Sequence, residues 1–208
     1  MIDWIGSNSD LVNTIISGIL MVVWIVYLNL FLHSLRRTKR PMLMISRGAG
    51  SGPEARMFLS NMGAEPIYIT ALIADVEYGD ERASVTITQN DEMEADNLSD
   101  PSEATNEGPL GSGDYQDAGS FGGMMKRITL HAAEEIDPDR IDRVTLTVVA
   151  ATGHSAALSA GRKTYRILRR DGGTVFHPEH LSTVQLHSRI ARWRIRKRLN
   201  RDLQAELG

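Results

Sequence analysis

The sequence predicts a mostly β protein: an antiparallel β-sandwich body carried behind one N-terminal transmembrane helix and followed by a C-terminal basic α-helix. Three observations predict it. Residues 11–32 are 22 uncharged positions, 16 of them Leu, Ile, Val, Met, Phe or Trp. Between residues 41 and 180 apolar and polar side chains alternate in short runs separated by Gly, Pro, Asn and Asp, the pattern of half-buried strands. Residues 182–207 contain no Gly and no Pro but hold seven of the 23 cations. The bulk composition, 24% charged and 42% hydrophobic over 208 residues, excludes a collagen-like chain, a polytopic transporter and a wholly disordered polypeptide. With no cysteine, a disulfide scaffold, a Cys-based zinc site and a thiol nucleophile are excluded as well.

The apolar run comes first. As a helix rising about 1.5 Å per residue it covers roughly 33 Å, the thickness of a bilayer core. A cleaved leader would need a basic start and a small-x-small cleavage site. Here Asp3 and Asp10 precede the run, and His33, Leu35, Arg36 and Arg37 follow it. The basic collar Arg36, Arg37, Lys39 and Arg40 has no counterpart on the other side. The positive-inside rule therefore places residues 1–10 outside and everything after the span in the cytoplasm. Such a protein would sit in the inner membrane of a bacterial-type cell. Within the span, Thr14, Gly18, Met21, Ile25 and Asn29 fall on one stripe. Thr14 and Gly18 form a small-xxx-small pair suited to close helix contact, and Asn29 can hydrogen-bond across such a contact.

After the collar, residues 33–40, the body occupies residues 41–180. Its expected strands are 42–46, 55–60, 66–78, 83–88, 124–131, 143–150, 164–168 and 174–176. Gly-rich 48–53, Asn61-Met62-Gly63 and Asp171-Gly172-Gly173 supply turns between them. Repeated short strands without long intervening helices indicate a sandwich. Asn61-Met62-Gly63 followed by Ile67-Tyr68-Ile69 resembles the Asn-x-Gly hairpin of many immunoglobulin-like domains. That resemblance, confined to residues 61–69, implies an immunoglobulin-like sandwich. Residues 83–125 hold nine carboxylates and no cation, so 89–122 is expected to be a flexible loop that buries too little apolar surface to order itself. Asp91, Glu94 and Asp96 lack EF-hand spacing, and Asp96 stands where that loop needs glycine.

Candidate chemistry is sparse. Thr152-Gly153-His154-Ser155-Ala156-Ala157 follows a strand and partly resembles the nucleophile elbow of α/β-hydrolases, with Asp171 and His177 or His180 downstream in hydrolase order. Ala157 replaces the second glycine, and the body lacks βαβ alternation. His177, Glu179, His180 and His187 cluster in sequence, but the His177-Pro178 step opposes the helical convergence a metal site would use. Gly48-Ala49-Gly50-Ser51-Gly52 lacks the Gly-Lys-Ser/Thr ending of a phosphate loop. No cofactor and no metal are expected.

The tail, residues 181–208, carries seven cations against two carboxylates, a net charge of +5. The body carries twelve against 22, a net charge of −10. A helix capped by Ser182 or Thr183 is expected here. It bears two offset apolar stripes, Leu186-Ile190-Trp193 and Ile195-Leu199-Leu203, beside Arg194, Arg196, Lys197 and Arg198. With the collar, Trp193 and these four cations are the candidate contacts to an anionic membrane surface or a partner. The functional expectation is a membrane-anchored binding, scaffold or assembly module. Its partners would be the bilayer and a protein or a second copy, with no nucleic acid and no evident small-molecule substrate. A tethered serine hydrolase built on Ser155 and an oligomeric membrane effector are the alternatives.

Overall fold

A computed structural model describes residues 9–38, 41–87, 105–132, 136–152, 155–170, 173–186 and 188–205. The chain divides into two units, residues 1–40 and 41–208. The first contains helix α1, Ser9–Thr38. Its segment Asp10–Ser34 contains an 18-residue stretch of mean hydropathy 2.4 that buries nothing within the protein, and is long and apolar enough to cross a membrane. Two polar side chains are satisfied by the helix's own backbone. Thr14 Oγ1 donates to the Asp10 carbonyl at 2.7 Å, and Asn29 Nδ2 donates to the Ile25 carbonyl at 2.9 Å.

The second unit is built from antiparallel strands. Its elements in order are β1 (Leu43–Arg47), β2 (Arg56–Asn61), β3 (Ile67–Tyr78), β4 (Glu81–Thr86), β5 (Gly108–Leu110), β6 (Tyr115–Ser120), helix α2 (Phe121–His131), a 3-10 turn (Pro138–Arg140), β7 (Arg143–Thr152), β8 (Ser155–Arg170), β9 (Gly173–Pro178), β10 (Val184–Gln185) and helix α3 (Arg189–Ala205). They form a small sheet, β1-β2-β6, and a large one, β10-β8-β7-β3-β4, with β5 on β3 and β9 on β8. The fold is thus mostly β in antiparallel sheets, with one apolar N-terminal helix and one C-terminal helix.

Alternation along the central strands explains the layers. In β3, Leu72, Ala74, Val76 and Tyr78 join one apolar cluster, while Ala71 and Ile73 join another. A register shift between Ile69 and Ala71 puts Ile69 in the first cluster with Leu72. In β7, Val144, Leu146 and Val148 enter the first cluster and Val149 the second. The first cluster also receives Leu43, Ile45, Met57 and Leu59 from the small sheet and Phe121, Met124 and Ile128 from α2. It is therefore the core that the two sheets share. Phe121 is central, stacked on Phe176 at 4.7 Å and edge-on to Tyr165 at 4.9 Å. Gly161 lets β1 approach β8: a Cβ there would lie 3.0 Å from the Leu43 Cβ and 3.3 Å from its carbonyl oxygen.

Several sequence expectations are corrected. Residues 124–131 form the end of α2, not a strand. Ser120 caps the helix by accepting from the Gly123 N–H at 3.0 Å, and Phe121, Met124, Met125 and Ile128 are buried at helical spacing. The expected loop 89–122 contains β5, β6 and the start of α2; its first part, 89–104, lies outside the described residues. Here β2 and β3 supply partners that an acidic, Gly-rich segment pairs with despite low strand propensity. The Asn61-Met62-Gly63 turn does not close a hairpin, because β2 and β3 belong to different sheets. Asn61 is fully buried at this corner. Its Nδ2 donates to the carbonyls of Glu65 at 2.8 Å and Gly111 at 3.0 Å, and its Oδ1 accepts from the Gly63 N–H at 3.0 Å. The C-terminal helix begins at Arg189, not near Ser182. Thr183 bonds the β1 backbone instead, and Ser188 is the cap, accepting from the Ala191 N–H at 3.1 Å.

Candidate functional site: helix α3 on the outer face of the large sheet

The second apolar cluster lies on the face of the large sheet away from the shared core, and α3 covers it. Ile195 is buried there among Ala71, Ile73, Val149 and Ala160, with Leu158, Leu186 and Leu199 packed around it. Ala71 and Ala160 leave room for the helix to sit close to the strands. Burying a side chain the size of isoleucine contributes about 1.5–3 kcal/mol. Among the α3 positions whose side chains are described, Ala191, Arg192, Ile195, Arg198 and Leu199 are the less exposed, at the spacing of one helical face. Of the two offset stripes in the tail, Ile195-Leu199 packs on the sheet. Ile190 and Trp193 face solvent, at 65% and 59% exposure.

The candidate cations divide accordingly. Arg194, Arg196 and Lys197 are exposed, as is Arg201. The Lys197 ammonium lies 5.2 Å from the centroid of the Trp193 ring, a cation–π contact that holds both on the outer face. Arg198 departs from this group. It turns inward and pairs with Asp75 on β3 at 2.7 Å, so a helix that reads as one cationic surface uses one of its cations for its own docking. Of the collar, Arg36 and Arg37 lie at the end of α1, and Lys39 and Arg40 lie outside the described residues. Thr14, Gly18 and Asn29 all lie on α1. Thr14 and Asn29 are occupied as described, and a Cβ at Gly18 would meet nothing within 4 Å.

Beyond α3 the same face is polar. Asp75 also accepts from Ser84 Oγ. Arg143 bridges Glu77 at 2.8 Å and Glu179 at 2.9 Å, and Glu179 first, then Glu77, pushes the Arg143 pKa above its ordinary value. Arg82 pairs with Glu77 at 3.2 Å and Arg166 with Glu179 at 3.5 Å. An open groove of about 360 Å³ runs here, lined by Asp75, Glu77, Arg82, Ser84, Thr145 and Arg162 among others. Both carboxylates are held in ion pairs. The Thr145 hydroxyl shares a hydrogen bond with Thr164 at 3.0 Å. The groove can recognise a polar surface by charge; the Ser84 hydroxyl in its lining is bonded to Asp75, whose carboxylate Arg198 also engages.

The chemistry read from sequence motifs is dispersed. Ser155 opens β8 and pairs with Thr152 of β7, so strand runs into strand where a nucleophile elbow needs strand, turn and helix. Asp171 and His154 lie outside the described residues, and His177 and His180 are exposed. Among the described residues no three His, Asp or Glu side chains could hold one metal ion; His187 lies outside them, and Glu179 serves Arg143 and Arg166. The sequence reading missed Asp75 as the helix's anchor. Its signal was the polar entry in the alternation Ala71-Ile73-Asp75-Glu77. No protein-family model matches the chain, and no curated protein or solved structure is significantly similar to it.

Proposed function

We propose that the chain is a single-pass membrane protein whose body, a two-sheet antiparallel sandwich in the cytoplasm, is a binding or scaffold module held against the inner leaflet through α3. The carrying observation is the division of α3. Ile195, Leu199 and Arg198 are spent on the body, while Ile190, Trp193, Arg194, Lys197 and Arg201 point outward. A tryptophan and an isoleucine among cations suit an anionic headgroup layer, where each cation contributes roughly 1 kcal/mol and less as salt rises. Chain connectivity supports the same reading. Gln185, just before α3, hydrogen-bonds Leu43, the first residue of β1. The strand that follows the collar and the start of α3 thus share one edge of the body. In the span, Thr14 and Gly18 leave room for a second copy, the self-association that a scaffold can use.

Residues 41–208, without the span, test the reading. This unit should sediment with vesicles containing anionic lipid at low salt and release as salt rises. Replacing Arg194, Lys197 and Arg201 by Gln should abolish binding and leave Tm within a degree or two. Absence of binding at low salt would make the outer face of α3 a protein-contact surface. A fluorophosphonate probe addresses the hydrolase alternative: labelling lost in Ser155→Ala would replace the scaffold reading with an enzyme.

A further inference from the structure

The inward face of β8 carries two groups that core packing does not explain. Gly161, Lys163, Tyr165 and Ile167 alternate inward, all of them buried. An apolar residue at 163 would continue the core; a lysine stands there instead, 8% exposed. Its ammonium donates to the Leu181 carbonyl at 3.2 Å and lies 5.9 Å from the Tyr165 ring centroid. Tyr165 is fully buried, and its hydroxyl has no hydrogen-bond partner. Across from them β1 ends in Arg47, whose guanidinium donates to the Phe176 carbonyl. Phe176 in turn stacks on Phe121, which touches Tyr165.

These groups feel one another. Burial, with the Arg47 charge added to it, lowers the Lys163 pKa from 10.5. Burial raises Tyr165 to about 12, and Arg47 opposes that rise. Among the described residues no carboxylate pairs with either cation. One ammonium and one guanidinium carry eight N–H donors between them, and among the described residues each cation gives one bond, to a carbonyl. Two like charges set together with spare donors, beside an orphaned hydroxyl, are costly unless something compensates them. Charge-assisted bonds to an oxyanion would use the donors of both cations. Two positive charges match a dianion better than a carboxylate. The Lys163 end of the group borders solvent, because Leu181, whose carbonyl holds Lys163, is 99% exposed.

We propose that Arg47, Lys163 and Tyr165 form a binding site for a phosphate-type dianion at the edge where β1 crosses β8. A free phosphate in solution and the monoester headgroup of a lipid present the same chemistry to it. Full-length protein in neutral detergent is the sample, and inorganic phosphate the first probe. Phosphate should raise Tm with increasing concentration, beyond chloride at equal ionic strength, as a ligand specific to the folded state does. Lys163→Met keeps the length and removes the charge. It should abolish the phosphate-dependent shift and, without phosphate, match or exceed the parent Tm. Tyr165→Phe, the milder change, should weaken the shift and serves if Lys163→Met fails to fold. In a second arm, nanodiscs with and without phosphatidate replace the detergent, with no free phosphate present. A Lys163-dependent shift there assigns the site to a headgroup; a shift with inorganic phosphate alone assigns it to a soluble ligand. No shift in either arm, or a shift unchanged in both variants, overturns the site.

Discussion

Gln185 binds Leu43 as a neighbouring strand would: its side-chain Oε1 accepts from the Leu43 N–H at 3.2 Å while its Nε2 donates to the Leu43 carbonyl. Thr183 repeats the pattern one residue pair along, accepting from the Ile45 N–H at 2.9 Å. β1 is an edge strand of the small sheet, and β10 borders the large one. Two side chains thus close an exposed edge and join the sheets where Gly161 has let them approach.

Loss of that pairing should be measurable. Gln185→Leu keeps side-chain bulk but leaves two partly buried backbone groups without partners, each costing about 1–3 kcal/mol when water cannot replace the bond. A loss of about 1–2 kcal/mol in chemical denaturation is expected, with the amides of Leu43 and Ile45 exchanging faster. A change within a few tenths of a kcal/mol would mean water substitutes for Gln185.

The two faces of α3 should separate stability from surface binding. Ile195→Ala removes a side chain buried among Ala71, Ile73, Val149 and Ala160 and should cost about 2 kcal/mol or more. Trypsin should then cut earlier at Arg194 to Arg201, because a helix that undocks opens its cleavage sites. Trp193→Ala, at an exposed position, should leave stability almost unchanged and weaken binding to anionic vesicles. The Arg198–Asp75 pair is half-exposed and contributes about 1 kcal/mol at most. Reversal of the Ile195 and Trp193 effects would mean that α3 docks by its other face.

How much of this was legible in the sequence follows from the range of each signal. The apolar run of α1 and the alternation of β3 and β7 are local patterns, and all three elements formed where those patterns lie. The β6 segment, Tyr115 to Ser120, reads as polar and glycine-rich; its strand exists because β2 pairs with it from about sixty residues away. The α2 error had a local remedy. Ser120 and Phe121 precede the stretch taken as a strand, and including them exposes the cap and the helical spacing of Phe121, Met124, Met125 and Ile128. Lys163 was missed because the strand was started at Thr164, one residue past an inward cation. Which stripe of α3 packs was beyond reach, since both stripes are apolar and only the small residues beneath Ile195 decide between them.

Tyr165 and Lys163 make opposite predictions for alkaline pH. The unfolded chain ionises tyrosine near 10 and the folded one near 12. Between these values the native state holds the extra proton, so this contribution to stability is complete below pH 10 and lost as pH rises from 10 to 12. Lys163 has the opposite sign. Its folded pKa lies below 10.5, so the unfolded chain holds the extra proton and raising the pH toward 10.5 stabilises the fold. Absorbance titration should show one of the five tyrosines ionising near 12 or only on unfolding. In phosphate-free buffer, Tyr165→Phe should stabilise the protein by about 1 kcal/mol, because it deletes a buried hydroxyl without a partner. A normal titration of all five tyrosines would mean that water reaches the Tyr165 hydroxyl.

Orientation is the last prediction, and it rests on charge asymmetry. Arg36, Arg37, Lys39 and Arg40 follow the apolar segment, whereas Asp3 and Asp10 are the only charges before it. Cations beside a span are retained on the cytoplasmic side, and carboxylates contribute little to the choice. The parent chain has no cysteine, so single introduced thiols report without interference. Ser7→Cys places a thiol before the span. Asp80→Cys places one at the exposed turn between β3 and β4. In intact cells an impermeant maleimide should label the first variant and not the second, and both should react after the membrane is opened. Exchanging the four collar cations for Gln should weaken this preference and yield a mixed population. The reverse labelling pattern would put the body, α3 and its cationic face on the outside of the membrane, and with them the leaflet that α3 could touch.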